Sequence, residues 1–129
     1  MSKKITAFYD DELNAWLHSI SFYMTELSNL SYRLKEIVER NSVVDIASKA
    51  DVHQLILENT RKKFEELRIV IFEQKKYLTE NEILMADKLV TKSIEQKQNE
   101  ITISFKKMEQ DHINVKFHCN EFLNEMLRK

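Results

Sequence analysis

The chain has 129 residues without a single glycine or proline, and its 20 basic and 21 acidic side chains give a net charge of −1. Average usage, about 7% Gly and 5% Pro, would supply roughly fifteen of these turn-forming residues, so we expect few connections and long helices. Phosphate-cradling loops, dinucleotide-binding fingerprints and the nucleophile elbow of serine hydrolases all need glycine, and the composition excludes them.

Charge, hydropathy and cysteine content restrict the cellular compartment and the classes of binding partner that we expect. The near-neutral charge provides no general attraction to nucleic acid or to an anionic membrane. The longest aliphatic-aromatic run, residues 69–72, is far shorter than the roughly 20 residues of a membrane span, and no secretion signal follows the opening MSKK. A single cysteine cannot form an internal disulfide. We therefore expect a cytoplasmic protein whose residues 1–129 form one helical-bundle domain.

The first predicted helix covers about residues 8–41. Apolar residues recur from Leu13 to Ile37 at alternating steps of three and four, which is the spacing of helices packed side by side. Asp10 suits the N-cap position, where its carboxylate would accept hydrogen bonds from unpaired backbone N–H groups.

The second predicted helix covers about residues 45–78. We call the row of residues at these alternating steps the seam of a helix. The seam of the second helix runs from Ile46 to Leu78 and includes three polar members, His53, Thr60 and Gln74. A basic stripe, which could contact nucleic-acid phosphates, recurs every seven residues at Arg61, Arg68 and Lys75. Acidic residues one turn away neutralise much of this stripe, so we expect a solvated face with ion pairs instead.

The third predicted helix covers about residues 80–127. Thr79-Glu80-Asn81-Glu82 matches the S/T-x-x-E capping box and should end the second helix and begin the third with almost no loop. Its seam runs through Lys97 and Ile101, and the next step, to Phe105, breaks the alternation. This step indicates either a local shift in the phase of a continuous helix or a helix break near 98–102, which would produce four helices in place of three.

A turn at 79–80 would place residue i of the second helix opposite about residue 159 minus i of the third. In the same way, a turn near 43 would place residue i of the first helix opposite about residue 86 minus i of the second. Residues 115–129 would then have nothing in their own chain to pack on. Such an apolar end predicts either a dimer with paired ends or a chain that folds back into a four-helix bundle. The apolar residues of this end are candidates for an interface. Further candidates lie level with residues 69–72, where the second helix is apolar on every face. Together the candidates are Trp16, Ile69, Phe72, Phe117, Phe122, Leu123, Met126 and Leu127.

The segment EQDHINVKFHCNEF, residues 109–122, is rich in metal-ligand residue types. Glu109 and His112 have the Glu-x-x-His spacing of di-iron bundles, but a second such pair is absent from the sequence. A zinc site from His53, His112 and Cys119 is a further candidate. We favour one helix face, with the histidines fixing register in the core and the cysteine as a small buried hydrophobe. We predict no metal, no cofactor and no catalytic residue.

The stretch WLHSISFYMTELSNLSYRLKEI, residues 16–37, resembles a group of small, uncharacterised, all-helical bacterial proteins. The similarity is carried by Trp16-Leu17, Phe22-Tyr23, Glu26 and Arg33-Leu34 and extends over roughly the first 40 residues. The group has no assigned activity or ligand, so the resemblance implies a helical fold and transfers no functional residue.

Together these patterns predict an all-α, antiparallel bundle with coiled-coil-like packing. The favoured function is a non-enzymatic interaction or scaffold protein that binds a copy of itself or another helical protein, with no membrane partner. A bundle that binds a metal or small ligand is the alternative. Nucleic-acid binding through the basic stripe on helix 2 is the third hypothesis.

Overall fold

The computed structural model describes residues 2–40, 44–81 and 88–128. These residues form three α-helices, α1 (Ser2–Arg40), α2 (Val44–Glu80) and α3 (Lys88–Arg128), and include no strand. The predicted all-α bundle is therefore confirmed. Among the described residues, no helix has both the length and the apolar character needed to cross a membrane.

Contacts divide the chain into two units, and each unit takes a segment from all three helices. The first unit comprises Met1–Ser21 and Glu65–Lys107, and the second comprises Phe22–Phe64 and Met108–Lys129.

The seam of α2 forms the core as predicted, because steps of three and four keep its members on one helix face. Its polar members Thr60 and Gln74 are buried with the apolar ones, whereas His53 and Ile46 are half-buried. The buried apolar members are Ala50, Leu57, Phe64, Leu67, Ile71 and Leu78.

Helix α1 begins earlier than predicted, so Asp10 lies inside the helix and is not its N-cap. The Asp10 carboxylate instead accepts a hydrogen bond from Lys75 of α2 at 2.9 Å, within the first unit. The apolar seam itself is confirmed at its most buried positions: Leu13, Ile20, Leu27, Leu30 and Leu34.

The predicted capping box does not start α3. Thr79 is still helical, and its hydroxyl donates back to the Lys75 carbonyl of α2 at 3.1 Å. Asn81 forms a turn whose N–H donates to the Tyr77 carbonyl, and Glu82 lies outside the described residues. Helix α3 is observed from Lys88, not from residue 80.

Helix α3 is continuous through 98–102, so three helices are observed among the described residues and the four-helix alternative, with a break there, is wrong. The apparent change of phase came from taking Lys97 as the seam member. Lys97 has a side chain 47% exposed, whereas its neighbour Gln98 is 2% exposed. With Gln98 in the seam, the steps from Ile94 through Ile101 to Phe105 alternate four, three and four.

Within each unit, α1 runs antiparallel to α2 and parallel to α3. Ser31 bonds Gln54 and Tyr23 packs on Phe64, each one residue from the predicted α1–α2 register. Contacts between α1 and α3 join residues 86 to 90 positions apart in both units. The predicted antiparallel pairing of α2 with its two neighbours therefore holds.

The predicted α2–α3 register is wrong. Gln74 should face position 85 but bonds the Ile94 carbonyl, and His53 should face position 106 but stacks on Phe122 at 4.8 Å between ring centroids. Residues 115–127 therefore lie alongside α1 and α2, and no unpaired end exists there. Cys119, Phe122 and Leu123 are buried in their own chain.

Candidate functional site

Five polar side chains of the second unit meet between α1 and α3, and we call them the polar cluster. Helix α1 supplies two residues three positions apart, and α3 supplies three at steps of three and four, so each set lies on one helix face. The parallel offset of 86 residues then brings the two faces level. The members are Tyr23, Glu26, Glu109, His112 and Lys116.

The Glu26 carboxylate contacts two side chains of α3, His112 and Lys116. Its Oε1 lies 3.1 Å from His112 Nε2, and its Oε2 accepts a hydrogen bond from Lys116. Burial raises the pKa of the Glu26 carboxyl, but the hydrogen bonds from Lys116 and His112 outweigh burial and hold that pKa below its usual value. The carboxylate is therefore ionised and paired at neutral pH.

Tyr23 forms the second link of the polar cluster. Its hydroxyl donates to Glu109 Oε2 at 2.5 Å. This hydrogen bond, followed by burial, raises the pKa of Tyr23 from 10.0 to about 12, because ionising the phenol would remove the donor beside a carboxylate.

His112 lies in an aromatic environment with one ring nitrogen unsatisfied. The residue is 1% exposed, and its ring centroid lies 4.6 Å from that of Tyr23 and 5.8 Å from that of Phe64. No hydrogen-bond partner for Nδ1 is present in the described part of the chain. The tautomer with the proton on Nε2, donated to Glu26, leaves only a lone pair unsatisfied, which costs less than a buried N–H without an acceptor.

The candidate metal ligands do not converge. Glu109 and His112 both contact Tyr23, while His53 stacks on Phe122 and Cys119 is a buried free thiol. Within residues 2–40, 44–81 and 88–128, no group of three His, Cys, Asp or Glu side chains is arranged to hold a metal ion. The candidate His53–His112–Cys119 zinc site is therefore not formed by these described residues.

Local environments affect the two candidate ligands His53 and Cys119 differently, and only the thiol is kept from its metal-binding form. Burial, and then the nearby charge of His118, hold the pKa of the His53 imidazole below its usual value. Burial raises the pKa of the Cys119 thiol, and the weaker influence of Arg33 opposes it. The thiol is therefore protonated at neutral pH, whereas a metal needs the thiolate.

A second buried polar group lies in the first unit, centred on Gln98. Its amide donates to the Tyr9 carbonyl at 3.2 Å and to Glu12 at 2.9 Å, and its carbonyl accepts from Gln74 at 3.2 Å. Gln74 also donates to the Ile94 carbonyl. One glutamine thus links all three helices of that unit.

The interface candidates divide into three groups by exposure. Phe122 and Leu123 are buried, so their own chain already covers them. Trp16, which stacks on Phe105 at 5.9 Å, and Met126 are half-buried. The exposed candidates are Ile69, Phe72, Phe117 and Leu127.

Sequence patterns did not single out Gln98, Tyr23, Glu26 or Lys116 as polar partners. Tyr23 falls on the heptad spacing of α1, but its bond to α3 depends on the offset between these two helices. A signal for it exists: Tyr23 and Glu26 match Glu109 and His112 at one common spacing of 86 residues.

Comparison with known protein families, curated proteins and solved structures finds no match to this chain.

Proposed function

We propose that this chain is a non-enzymatic helical interaction protein that associates with a second copy of itself. The proposal is carried by large apolar side chains that remain exposed on the outer sides of α1 and α3 in the second unit. Phe22, Ile113 and Phe117 are 61%, 53% and 59% exposed. Apolar side chains gathered on one part of a surface favour a protein partner, because covering them removes apolar area from water.

The arrangement of the polar cluster supports a structural role for it in this function. Glu26 is paired with His112 and Lys116, and Glu109 is bonded by Tyr23. Carboxylates engaged in this way are held in place and serve to fix the α1–α3 register, a use that buried polar groups have in helical bundles. We propose the cytoplasm as the compartment, where a buried lone thiol such as Cys119 stays reduced.

The molar mass in solution, measured by light scattering across a dilution series, tests the proposal. Self-association predicts twice the chain mass of 15.5 kDa at high concentration, with dissociation on dilution. A mass of one chain at every concentration up to the millimolar range would overturn it. Chemical shifts that do not change over the same series would confirm that result.

A further inference from the structure

We propose that α3 pairs with α3 of a second copy, parallel and in register, along the outer face that runs from Gln110 to Leu127. This inference rests on the proposed self-association and adds the surface, the partner and the orientation. We call this face the outer seam.

The outer seam follows the heptad spacing along the exposed side of α3, and it borders α1 at Asn120, which accepts a hydrogen bond from Arg33 at 3.4 Å. Its positions alternate by three and four, which is the pattern that packs against another helix. All are exposed except Asn120, which is half-buried. Its members carry no charge, although 32% of the chain is charged: Gln110, Ile113, Phe117, Asn120, Asn124 and Leu127.

The polar members of the outer seam favour an identical partner. In a parallel, in-register pair, each seam residue meets the same residue of the other copy. Asn124 would then face Asn124 of the second copy, and each amide can both donate to and accept from the other. An asparagine at such a position fixes register and orientation in parallel helix pairs. Phe117 would pair with itself in the same way and supply apolar area.

The flanking charges are complementary in the same arrangement. Lys116 precedes Phe117, and Glu121 follows Asn120, so in a parallel pair Lys116 of one copy approaches Glu121 of the other. Lys116 already bonds Glu26, yet its side chain is 44% exposed and its ammonium has further donors. Glu121 is 57% exposed. An antiparallel pair would remove this contact, because equivalent flanking positions would then face one another.

Disulfide formation between engineered cysteines tests the orientation. The native cysteine is first removed as Cys119→Ala, so that Asn124→Cys is the sole thiol. Equivalent seam residues of a parallel pair lie close enough for a disulfide, whose Cα atoms are usually about 4.4–6.8 Å apart. We expect Asn124→Cys to form covalent dimers at least about ten times faster than the control Glu125→Cys. The control is the next residue on α3, also exposed, but about 100° around the helix.

A charge placed in the outer seam tests the surface independently. Phe117→Glu should raise the dimer dissociation constant about thirty-fold, the size of effect expected when a central interface residue is lost. The matched control is Leu55→Glu on α2, which is 62% exposed against 59% for Phe117. Both substitutions place a good helix former at an exposed position, so helicity and the melting temperature should be retained.

The outcomes separate this inference from the proposed function. If wild type is a dimer but Asn124→Cys crosslinks no faster than Glu125→Cys, the parallel pairing is overturned and self-association stands. The same holds if Phe117→Glu and Leu55→Glu dimerise equally. If wild type is a monomer throughout, both the inference and the proposed function are overturned.

Discussion

In the second unit, the Nε2 atom of His112 lies 3.1 Å from Oε1 of Glu26, and the other ring nitrogen of His112 has no hydrogen-bond partner among the described residues. His112 is 1% exposed, so the Glu26 carboxylate is the one hydrogen-bond partner of its ring among the described residues. An unpaired buried polar group costs roughly 1–3 kcal/mol.

We expect Glu26→Ala to lower the free energy of unfolding by about 2–3 kcal/mol, because His112 loses its partner and Lys116 loses its anion. Urea denaturation at neutral pH measures the change. Glu36→Ala is the matched control, since Glu36 makes an exposed ion pair with Arg40 and should cost less than about 1 kcal/mol. Equal losses in the two variants would show that the His112–Glu26 bond adds nothing.

Acid should weaken the fold through Glu26. Its pKa in the folded state lies below the usual 4.5, so the unfolded chain takes up a proton more readily. The stabilisation is therefore fully present above pH 4.5 and is lost as the pH falls through the folded pKa. Glu26→Gln should show a smaller loss of stability between neutral pH and pH 3 than wild type does. Parallel stability curves for the two proteins would contradict this assignment.

At high pH, the hydroxyl of Tyr23 should ionise about two units later than an ordinary tyrosine. Its pKa is raised from 10.0 to about 12, so the stabilisation it supplies is present below pH 10 and is lost as the pH rises through 12. Absorbance of tyrosinate near 295 nm follows the titration. The late step should disappear in Tyr23→Phe while earlier steps persist, and a late step retained in that variant would belong to another tyrosine.

The seam of α2 could be predicted from the sequence at nearly every position. The alternating steps of three and four residues remain recognisable although three of the seam residues are polar. The same approach failed on α3 at Lys97 and Gln98. Both are polar neighbours, and only the presence of acceptors on α1 and a donor on α2 makes Gln98 the buried one. Hydropathy contains no information about those partners.

The α1–α2 register was predicted within one residue, whereas the α2–α3 register was displaced. The capping box at Thr79 was a local signal, but its hydroxyl can equally donate to the carbonyl four residues earlier, as it does here. The predicted register assumed a turn at 79–80, and an error in the position of that turn displaces every opposing residue along α3. The predicted bare end and the predicted partner of His53 both depended on this assumption.

Gln74 and Gln98 should be strongly coupled, and a double-mutant cycle measures the coupling. Gln98→Leu leaves the Gln74 amide with only the Ile94 carbonyl and should cost about 2 kcal/mol of the free energy of unfolding. Gln74→Leu removes the donor that the Gln98 carbonyl needs and should cost about 1 kcal/mol. In the double variant neither amide is left facing an apolar side chain and two leucines fill the seam, so part of the loss should be recovered, while Glu12 still lacks the Gln98 donor.

The expected coupling energy is therefore at least about 1 kcal/mol, larger than the few tenths seen for independent sites. Additive single losses would mean that the two amides do not depend on each other.

Recovery of stability in the double variant would indicate that the glutamines fix the register of the helices, since an all-apolar seam permits helices to slide past one another. Hydrogen exchange should then show reduced protection near Gln98→Leu in the double variant even when its free energy of unfolding matches wild type. Unchanged protection there would remove the argument that this layer fixes the register of the first unit.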